Sequence, residues 1–450
     1  MENTTHTNGQ THQTDVSWAQ DGKVNEVLFM QALLKEYPMQ AFEGRFYNTD
    51  GYIPDEKVQS RIYSLLKLSI SANLAQKTKQ IFQALLFEAD TDQMSDDMFT
   101  VRVKNGSLSV TDGFREEYDI CKARLSVPYD PDAPTPARWL RFLDGLLEPA
   151  DVLTLQEYLG YCLIPCTKGQ VMLFLIGDGG EGKSRITQVC REIFGEFMNV
   201  ASFQSLETRP FARANLENKL LMVDDDMKLG KLPSTHYIKS IVTQEGKIDT
   251  ERKGIQGEQR HMNCRLLCLG NGSPNALYDH SNGFYRRQII LRTKPKDPDR
   301  IDDPYFSEKL LPEINGIFLW CFEGLKRLMK NDFHFSVSEK AKKSLEELRE
   351  EGNNVISFMR SECYFTLGEG LHATTADLYH SYLLWCRENA EIKVALRSFS
   401  GYLKDHAAQY HLTASNNIPN REGRKVRGFY GIRVDVQSDF VPYDGETPFD

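Results

Sequence analysis

Gly177-Asp178-Gly179-Gly180-Glu181-Gly182-Lys183-Ser184 is the stretch on which the reading of this chain turns. It fits the pattern G-x-x-x-x-G-K-[ST]. Before it runs Val171-Met172-Leu173-Phe174-Leu175-Ile176, a short apolar segment that reads as a buried strand. After it come Ile186, Val189, Cys190, Ile193 and Phe194 at helical spacing, with Gly195 as a stop. Glycines let backbone N–H groups turn inward on phosphate oxygens with no Cβ in the way. The helix N-terminus adds partial positive charge. All eight residues, Gly177, Asp178, Gly179, Gly180, Glu181, Gly182, Lys183 and Ser184, are therefore candidate nucleotide-binding residues. In this pattern Lys183 reaches the β- and γ-phosphates and the Ser184 hydroxyl ligates Mg²⁺.

Working outward, Lys219-Leu220-Leu221-Met222-Val223 reads as a second buried strand, ending in Asp224-Asp225-Asp226. Carboxylates beside a phosphate loop hold the Mg²⁺ shell and orient the attacking water. Asp224 and Asp225 are favoured because they come first after the apolar run, and Asp224 is paired with Ser184 as the expected metal site. A third strand, Arg265-Leu266-Leu267-Cys268-Leu269-Gly270, carries Asn271 at its C-terminal end, the edge where open α/β sheets place ligands. Its amide can hold the γ-phosphate or the water. A turn asparagine before Gly272 fits the local sequence equally well. Arg286-Arg287 precedes the strand Gln288–Leu291 and reads either as an arginine finger or as a surface charge pair.

The whole chain has 450 residues, 40% hydrophobic and 26% charged, the balance of an ordinary soluble protein with a real core. The net charge of −9 excludes a protein that coats nucleic acid over its whole surface, but not one with a local basic channel. Residues 1–17 read as a polar tail, as do residues 436–450. A helical and β assembly region is expected over 18–134, with an Asp50-Gly51 hairpin and an Asn105-Gly106 turn. Helices over 135–170 and 301–350 flank an α/β core over 171–300. A last unit over 351–435 shows three helical patterns and a strand at 426–434. Within it residues 387–433 are rich in Lys and Arg, with Lys404 on the outward side of a helix over 396–408. Nine scattered cysteines, an odd number, argue against a disulfide scaffold. Cys162/Cys166 and Cys264/Cys268 read as core residues rather than zinc ligands.

Phosphate loop, Asp-Asp strand, basic hairpin and Asn-ended strand lie within about 100 residues. That order resembles the superfamily 3 helicases, AAA+ motors of small DNA viruses, phages and plasmids. It is most similar to the phage/plasmid primase–helicase group that includes the poxvirus primase–helicase. The likeness extends to Lys104–Leu108, Val127–Pro134, Leu155–Leu163 and Leu311–Trp320, and so covers roughly residues 100–435. It implies an AAA+ core preceded by a collar and followed by a winged-helix domain. It implies catalytic roles for Lys183, Asp224, Asp225, Asn271 and Arg287, with Arg286 as the alternative finger. Lys253 matches the pore lysine, with Arg252 and Lys247 as weaker candidates. In the winged helix, Lys404, Arg424 and Lys425 would touch DNA phosphates. One departure is the acidic interior of the loop, Asp178 and Glu181, which weakens nucleotide binding unless both face solvent.

The expectation is an ATP- and Mg²⁺-dependent DNA helicase, a homo-hexameric ring translocating on single-stranded DNA and acting at forks. A packaging ATPase and a nucleotide-controlled initiator without unwinding are the alternatives. No primase activity is expected, because the stretch before Asn105 offers no sheet to hold a two-metal site. A separate primase or loader is the expected further partner. With no apolar run of ~18–20 residues and no signal core, the expected location is the cytoplasm, that of a bacterial host, with no membrane partner.

Overall fold

The computed structural model describes residues 18–20, 23–94, 97–227, 234–244, 246–252, 255–271, 282–352, 354–391 and 393–435. The chain divides into two compact units. The first holds residues to 228, 232–272 and 286–342; the second holds 229–231, 273–285 and 343–450.

The first unit begins with a two-residue pair, β1 (Ala19–Gln20) and β2 (Lys23–Val24), and helix α1 (Glu26–Glu36). Asn25 caps α1, its side chain accepting from Leu28 N. A three-stranded antiparallel sheet follows: β3 (Gln40–Phe42), β4 (Arg45–Asn48) and β5 (Gly51–Ile53). The Asp50-Gly51 hairpin closes where expected, with Asn48 opposite Gly51. Helices α2 (Asp55–Leu66) and α3 (Leu74–Glu88) pack on α1 around Phe29, Leu33, Phe46, Ile62, Ile81 and Leu85. A second antiparallel sheet, β6 (Thr100–Val103), β7 (Gly106–Ser109) and β8 (Gly113–Arg115), turns through Lys104-Asn105. Its Val101, Val103 and Leu108 join the large core that runs on through the rest of the unit.

Helices α4 (Ala137–Leu146) and α5 (Pro149–Cys162) lead into the parallel sheet. In chain order the elements are then β9 (Met172–Gly177), α6 (Ser184–Phe194), β10 (Met198–Val200), α7 (Phe203–Thr208), α8 (Pro210–Ala214) and β11 (Leu221–Met227). Next come α9 (His236–Thr243), the hairpin β12 (Ile248–Arg252) and β13 (Ile255–Arg260), and β14 (Arg265–Asn271). The single turn α10 (Asn282–Tyr285), which belongs to the second unit, precedes β15 (Gln288–Arg292). The five parallel strands are ordered β10-β11-β14-β9-β15. One face packs Leu173, Leu175, Val223 and Leu267 on Ile186, Val189 and Ile193 of α6. Strand alternation puts Phe174 on the other face, against Phe203 of α7 at 5.7 Å between ring centres.

Helices α11 (Phe306–Leu310), α12 (Ile314–Lys330) and the start of α13 (Glu339–Gly352) complete the unit. α12 crosses α5 at two glycines: a Cβ at Gly160 would collide with Cys321 O and Leu325 N, and one at Gly324 with Gln156 O. Glu157, 1% exposed, is satisfied by Arg327 Nε at 2.6 Å and Ser336 N at 2.7 Å.

The second unit has α14 (Asn354–Met359), β16 (Phe365–Thr374), α15 (Thr375–Glu388), α16 (Leu396–Asp405), β17 (Thr413–Pro419) and β18 (Lys425–Val434). Its antiparallel sheet is ordered β16-β18-β17 and closes on Phe358, Tyr382, Trp385, Phe399, Leu403 and Phe429. Strands β16 and β17 are additions to the sequence reading, which placed only the last strand. Among the described residues no helix is long and apolar enough to cross a membrane.

Candidate functional site

The site is built at the C-terminal edge of the parallel sheet. β9 delivers the chain into the glycine loop, and Ser184 opens α6. Gly179, Gly180 and Gly182 have φ of +109°, +79° and +102°, values that side chains rarely adopt. Gly177 has no room for a side chain either: a Cβ there would collide with Thr293 Oγ1 and come within 2.6 Å of Glu181 Oε1.

The two acidic residues of the loop go different ways. Asp178 is exposed, whereas Glu181 is 3% exposed and turned inward. Its Oε2 lies 2.8 Å from Lys183 Nζ, and its Oε1 accepts from Gly179 N at 2.8 Å. Burial raises the Glu181 pKa, but the hydrogen bonds from Lys183 and Gly179 outweigh it and leave the carboxyl below its usual range. Lys183 is itself 7% exposed, and Ser184 is exposed at the helix start.

β14 sits beside β9 with Asn271 opposite Gly177, at the mouth of the loop. A Cβ at Gly179 would lie 3.8 Å from the Asn271 amide group. This is the juxtaposition the sequence anticipated for Asn271.

The acidic triplet is not a turn after a strand. β11 runs through it to Met227, with a bulge between Asp224 and Met227. Alternation places Asp225 on the α6 face, where its Oδ1 accepts from Thr187 Oγ1 at 2.9 Å. Thr187 stands one helical turn beyond Ser184. Asp224 lies on the α7 face, buried, with Oδ2 accepting from Phe203 N at 2.8 Å. Burial raises its pKa against the pull of the Phe203 and Asp226 N–H groups. Asp225, rather than the expected Asp224, is thus the carboxylate lying against the helix that Ser184 opens. Backbone N–H groups, a lysine, a hydroxyl and one facing carboxylate suit a magnesium–triphosphate, since Mg²⁺ takes one or two carboxylates plus phosphate oxygens.

Arg286 and Arg287 lie at the other edge of the sheet. Met172 N donates to Arg287 O at 2.8 Å, and Gln288 is opposite Met172, the first residue of β9. The loop begins at Gly177, five residues further on, so the pair is separated from its own phosphate loop by roughly 17 Å of strand. Arg286 is exposed and Arg287 is 7% exposed. Both line a concavity of about 260 Å³ with Lys168, Asp332 and His334.

Lys253 falls between β12 and β13 in sequence and lies outside the described residues. The other two hairpin candidates are engaged. Arg252 Nη2 pairs with Glu217 Oε2 at 2.8 Å, and Lys247 Nζ lies 4.0 Å from Glu43 Oε1. Arg252 is therefore part of an ion network with Arg45, Glu258 and Arg260. In the second unit Lys404, Arg424 and Lys425 are all exposed. Lys404 borders a concave face of about 950 Å³ with Arg397, Arg421 and Arg427, interrupted by Asp377 and Glu422.

Sequence reasoning missed the segment after β15, which folds back over the loop. Arg300 Nη1 donates to Glu181 O at 2.7 Å, and a Cβ at Gly180 would lie 4.0 Å from Lys296 Nζ. The available signal was the basic run Arg292-Thr293-Lys294-Pro295-Lys296 at a sheet edge.

Residues 175–287 match a family of unknown function, DUF5906, a span from the phosphate loop to Arg287. No curated protein matches the chain. Among solved structures the fold is similar to the apo C-terminal region of NrS-1. The identity is 12%, over 91% of this chain and 100% of that one, with a TM-score of 0.52. The A form of the apo structure of that region gives 11% identity over 90% of this chain and 99% of that one, with a TM-score of 0.52. The shared feature is the fold, a mixed α/β architecture around the parallel sheet.

Proposed function

We propose that this chain is an ATP-driven, ring-forming DNA helicase of superfamily 3 type, working in the replication of a phage or other mobile element. The observation that carries the proposal is the placement of its charges on the two edges of one sheet. Lys183, Ser184, Asp225 and Asn271 converge at the C-terminal edge of three adjacent strands, while the arginine pair sits at the opposite edge. A chain with its phosphate-binding groups at one edge and its arginines at the other has a complete site only when a second copy supplies the arginine. That requirement favours a ring.

In this reading Lys183 and the loop N–H groups hold the phosphates, and Ser184 with Asp225 holds the hydrated Mg²⁺. Asn271 positions the water at the γ-phosphate. Asp224, locked to Phe203 N, holds the end of β11 in place. The exposed Arg286 is the arginine able to reach a neighbour, with the buried Arg287 supporting it just before β15. DNA runs past the β12–β13 hairpin, gripped through its phosphates. The second unit, in which α14, α15 and α16 pack on a three-stranded antiparallel sheet, serves as a winged helix that meets duplex DNA with the Lys404 and Arg427 face.

A strand-separation assay on a labelled forked duplex tests the proposal. Unwinding is expected with ATP and Mg²⁺, absent with EDTA, and absent in Arg286→Ala/Arg287→Ala. Mixing that variant with Lys183→Ala chains should restore part of the activity. DNA binding without separation under any nucleotide condition would favour an initiator instead.

A further inference from the structure

Glu181 is a strange residue to find inside a phosphate loop. Its carboxylate is almost fully buried and holds the two kinds of group that a phosphate would use, the Lys183 ammonium and a loop N–H. The loop therefore carries an anion of its own.

We propose that Glu181 is a built-in competitor for nucleotide: its carboxylate holds Lys183 and Gly179 N–H while no nucleotide is bound, and a nucleoside triphosphate must take Lys183 from it. This inference rests on the nucleotide-binding reading above and names the residue that sets affinity at that site.

The surroundings allow the exchange. A buried carboxylate that loses its lysine needs another partner. The segment after β15 brings several close. Thr293 Oγ1 and Glu181 Oε1 flank Gly177 together, both in the space its Cβ would fill. Lys296 reaches the Gly180 side of the loop, and Arg300 is already bound to the Glu181 backbone carbonyl. Lys296 and Arg300 at present share Asp302, at 2.6 and 3.4 Å, an exposed pairing that is easily given up. When phosphate takes Lys183, these cations can follow the carboxylate, so the charge it leaves behind is not stranded.

The competition fixes the direction of a mutational effect. Glu181→Gln keeps the side-chain oxygen for Gly179 N–H but removes the charge that holds Lys183. Lys183 then binds phosphate without a rival. Releasing one charge-assisted hydrogen bond is worth roughly a tenfold gain in nucleotide affinity. The same change leaves Lys183 buried without its partner when nucleotide is absent, so the apo protein should melt earlier. Tighter nucleotide binding together with a less stable apo protein is a pair of effects that a merely structural glutamate does not produce.

The test is titration of the full chain with a fluorescent ATP analogue, and with inorganic triphosphate, alongside apo melting curves. The wild type should bind both, Glu181→Gln roughly tenfold more tightly, and Glu181→Asp, whose shorter arm reaches Lys183 poorly, in between. Equal or weaker binding by Glu181→Gln, with the wild type binding normally, overturns the competitor and makes Glu181 a brace of the loop. If Glu181→Gln does not fold, equal or weaker binding by Glu181→Asp overturns it in the same way. Absence of binding by wild type to either probe overturns the nucleotide reading and the competitor with it.

Discussion

Removing one carboxylate from the ion network beneath the β12–β13 hairpin should cost more than removing the best-buried arginine. Arg45 Nε lies 3.2 Å from Glu217 Oε1 and its Nη2 3.2 Å from Glu258 Oε2. Arg252 Nη2 is 2.8 Å from Glu217 Oε2, Arg260 Nε is 3.6 Å from Glu217 Oε1, and Arg260 Nη2 is 2.6 Å from Glu258 Oε2. Three guanidinium groups thus share two central carboxylates, and the Arg45 and Glu217 side chains are each only 8% exposed. Glu217→Gln leaves three cations around Glu258, with Glu43 on the exposed side 3.8 Å from Arg260 Nη1, which should cost about 3–5 kcal/mol. Arg45→Met leaves two cations on two carboxylates and keeps the aliphatic packing, so about 1–2 kcal/mol is expected. At ~2 °C per kcal/mol, calorimetry should show Tm losses of about 6–10 °C and about 2–4 °C. Because the two mutated side chains, Arg45 and Glu217, are buried, added salt should change these losses little. Arg45→Met matching or exceeding Glu217→Gln would refute the charge count. The functional corollary follows from the partners: Arg45 belongs to β4, and Arg252, Glu258 and Arg260 to the β12–β13 hairpin. Arg45 is thus one of the braces of that hairpin, beside Arg213 Nε, which donates to Asp249 O at 2.8 Å, so on the proposed DNA path both variants should also weaken DNA affinity.

Gly160→Ala should lower stability by about 3 kcal/mol, read from urea unfolding, because its methyl meets the backbone of α12 at Cys321 and Leu325 rather than a movable side chain. Arg286→Ala should bind ATP normally and hydrolyse it at least roughly 10³-fold more slowly, whereas a surface charge pair would leave turnover unchanged. Thiol titration of the native protein should count one fast-reacting cysteine, Cys363, since the other eight are buried. Burial pushes the Cys264 thiol up to about 12, which keeps it protonated as well as shielded. More than one fast thiol would show that the core around α5, β14 and α12 opens readily.

The core and the site were legible to different depths. The β9–loop–α6 unit was legible because three signals agree there, namely an apolar run, fixed glycines and helical spacing. The place of Asn271 opposite Gly177 was legible because strands of an open α/β sheet end at one edge, although a turn asparagine fitted the local sequence equally well. The faces taken by Asp224 and Asp225 were not, because they depend on the register of β11 and on its bulge, and neither shows in three identical residues. β16 was missed because Gly368 and Gly370 break its alternation and most of its side chains are exposed. β17 was missed because Ser415-Asn416-Asn417 reads as a turn, yet its backbone pairs as an edge strand. The Glu217 network joins residues more than 160 positions apart in sequence, which local spacing cannot reveal.

Steady-state hydrolysis of ATP by the purified chain, with and without single-stranded DNA and for wild type beside Lys183→Ala, tests the central claim most directly. The account predicts Mg²⁺-dependent turnover that rises when DNA is added and is nearly abolished in Lys183→Ala. Turnover that is unchanged in Lys183→Ala, or absent from wild type under every DNA and nucleotide condition, would contradict it.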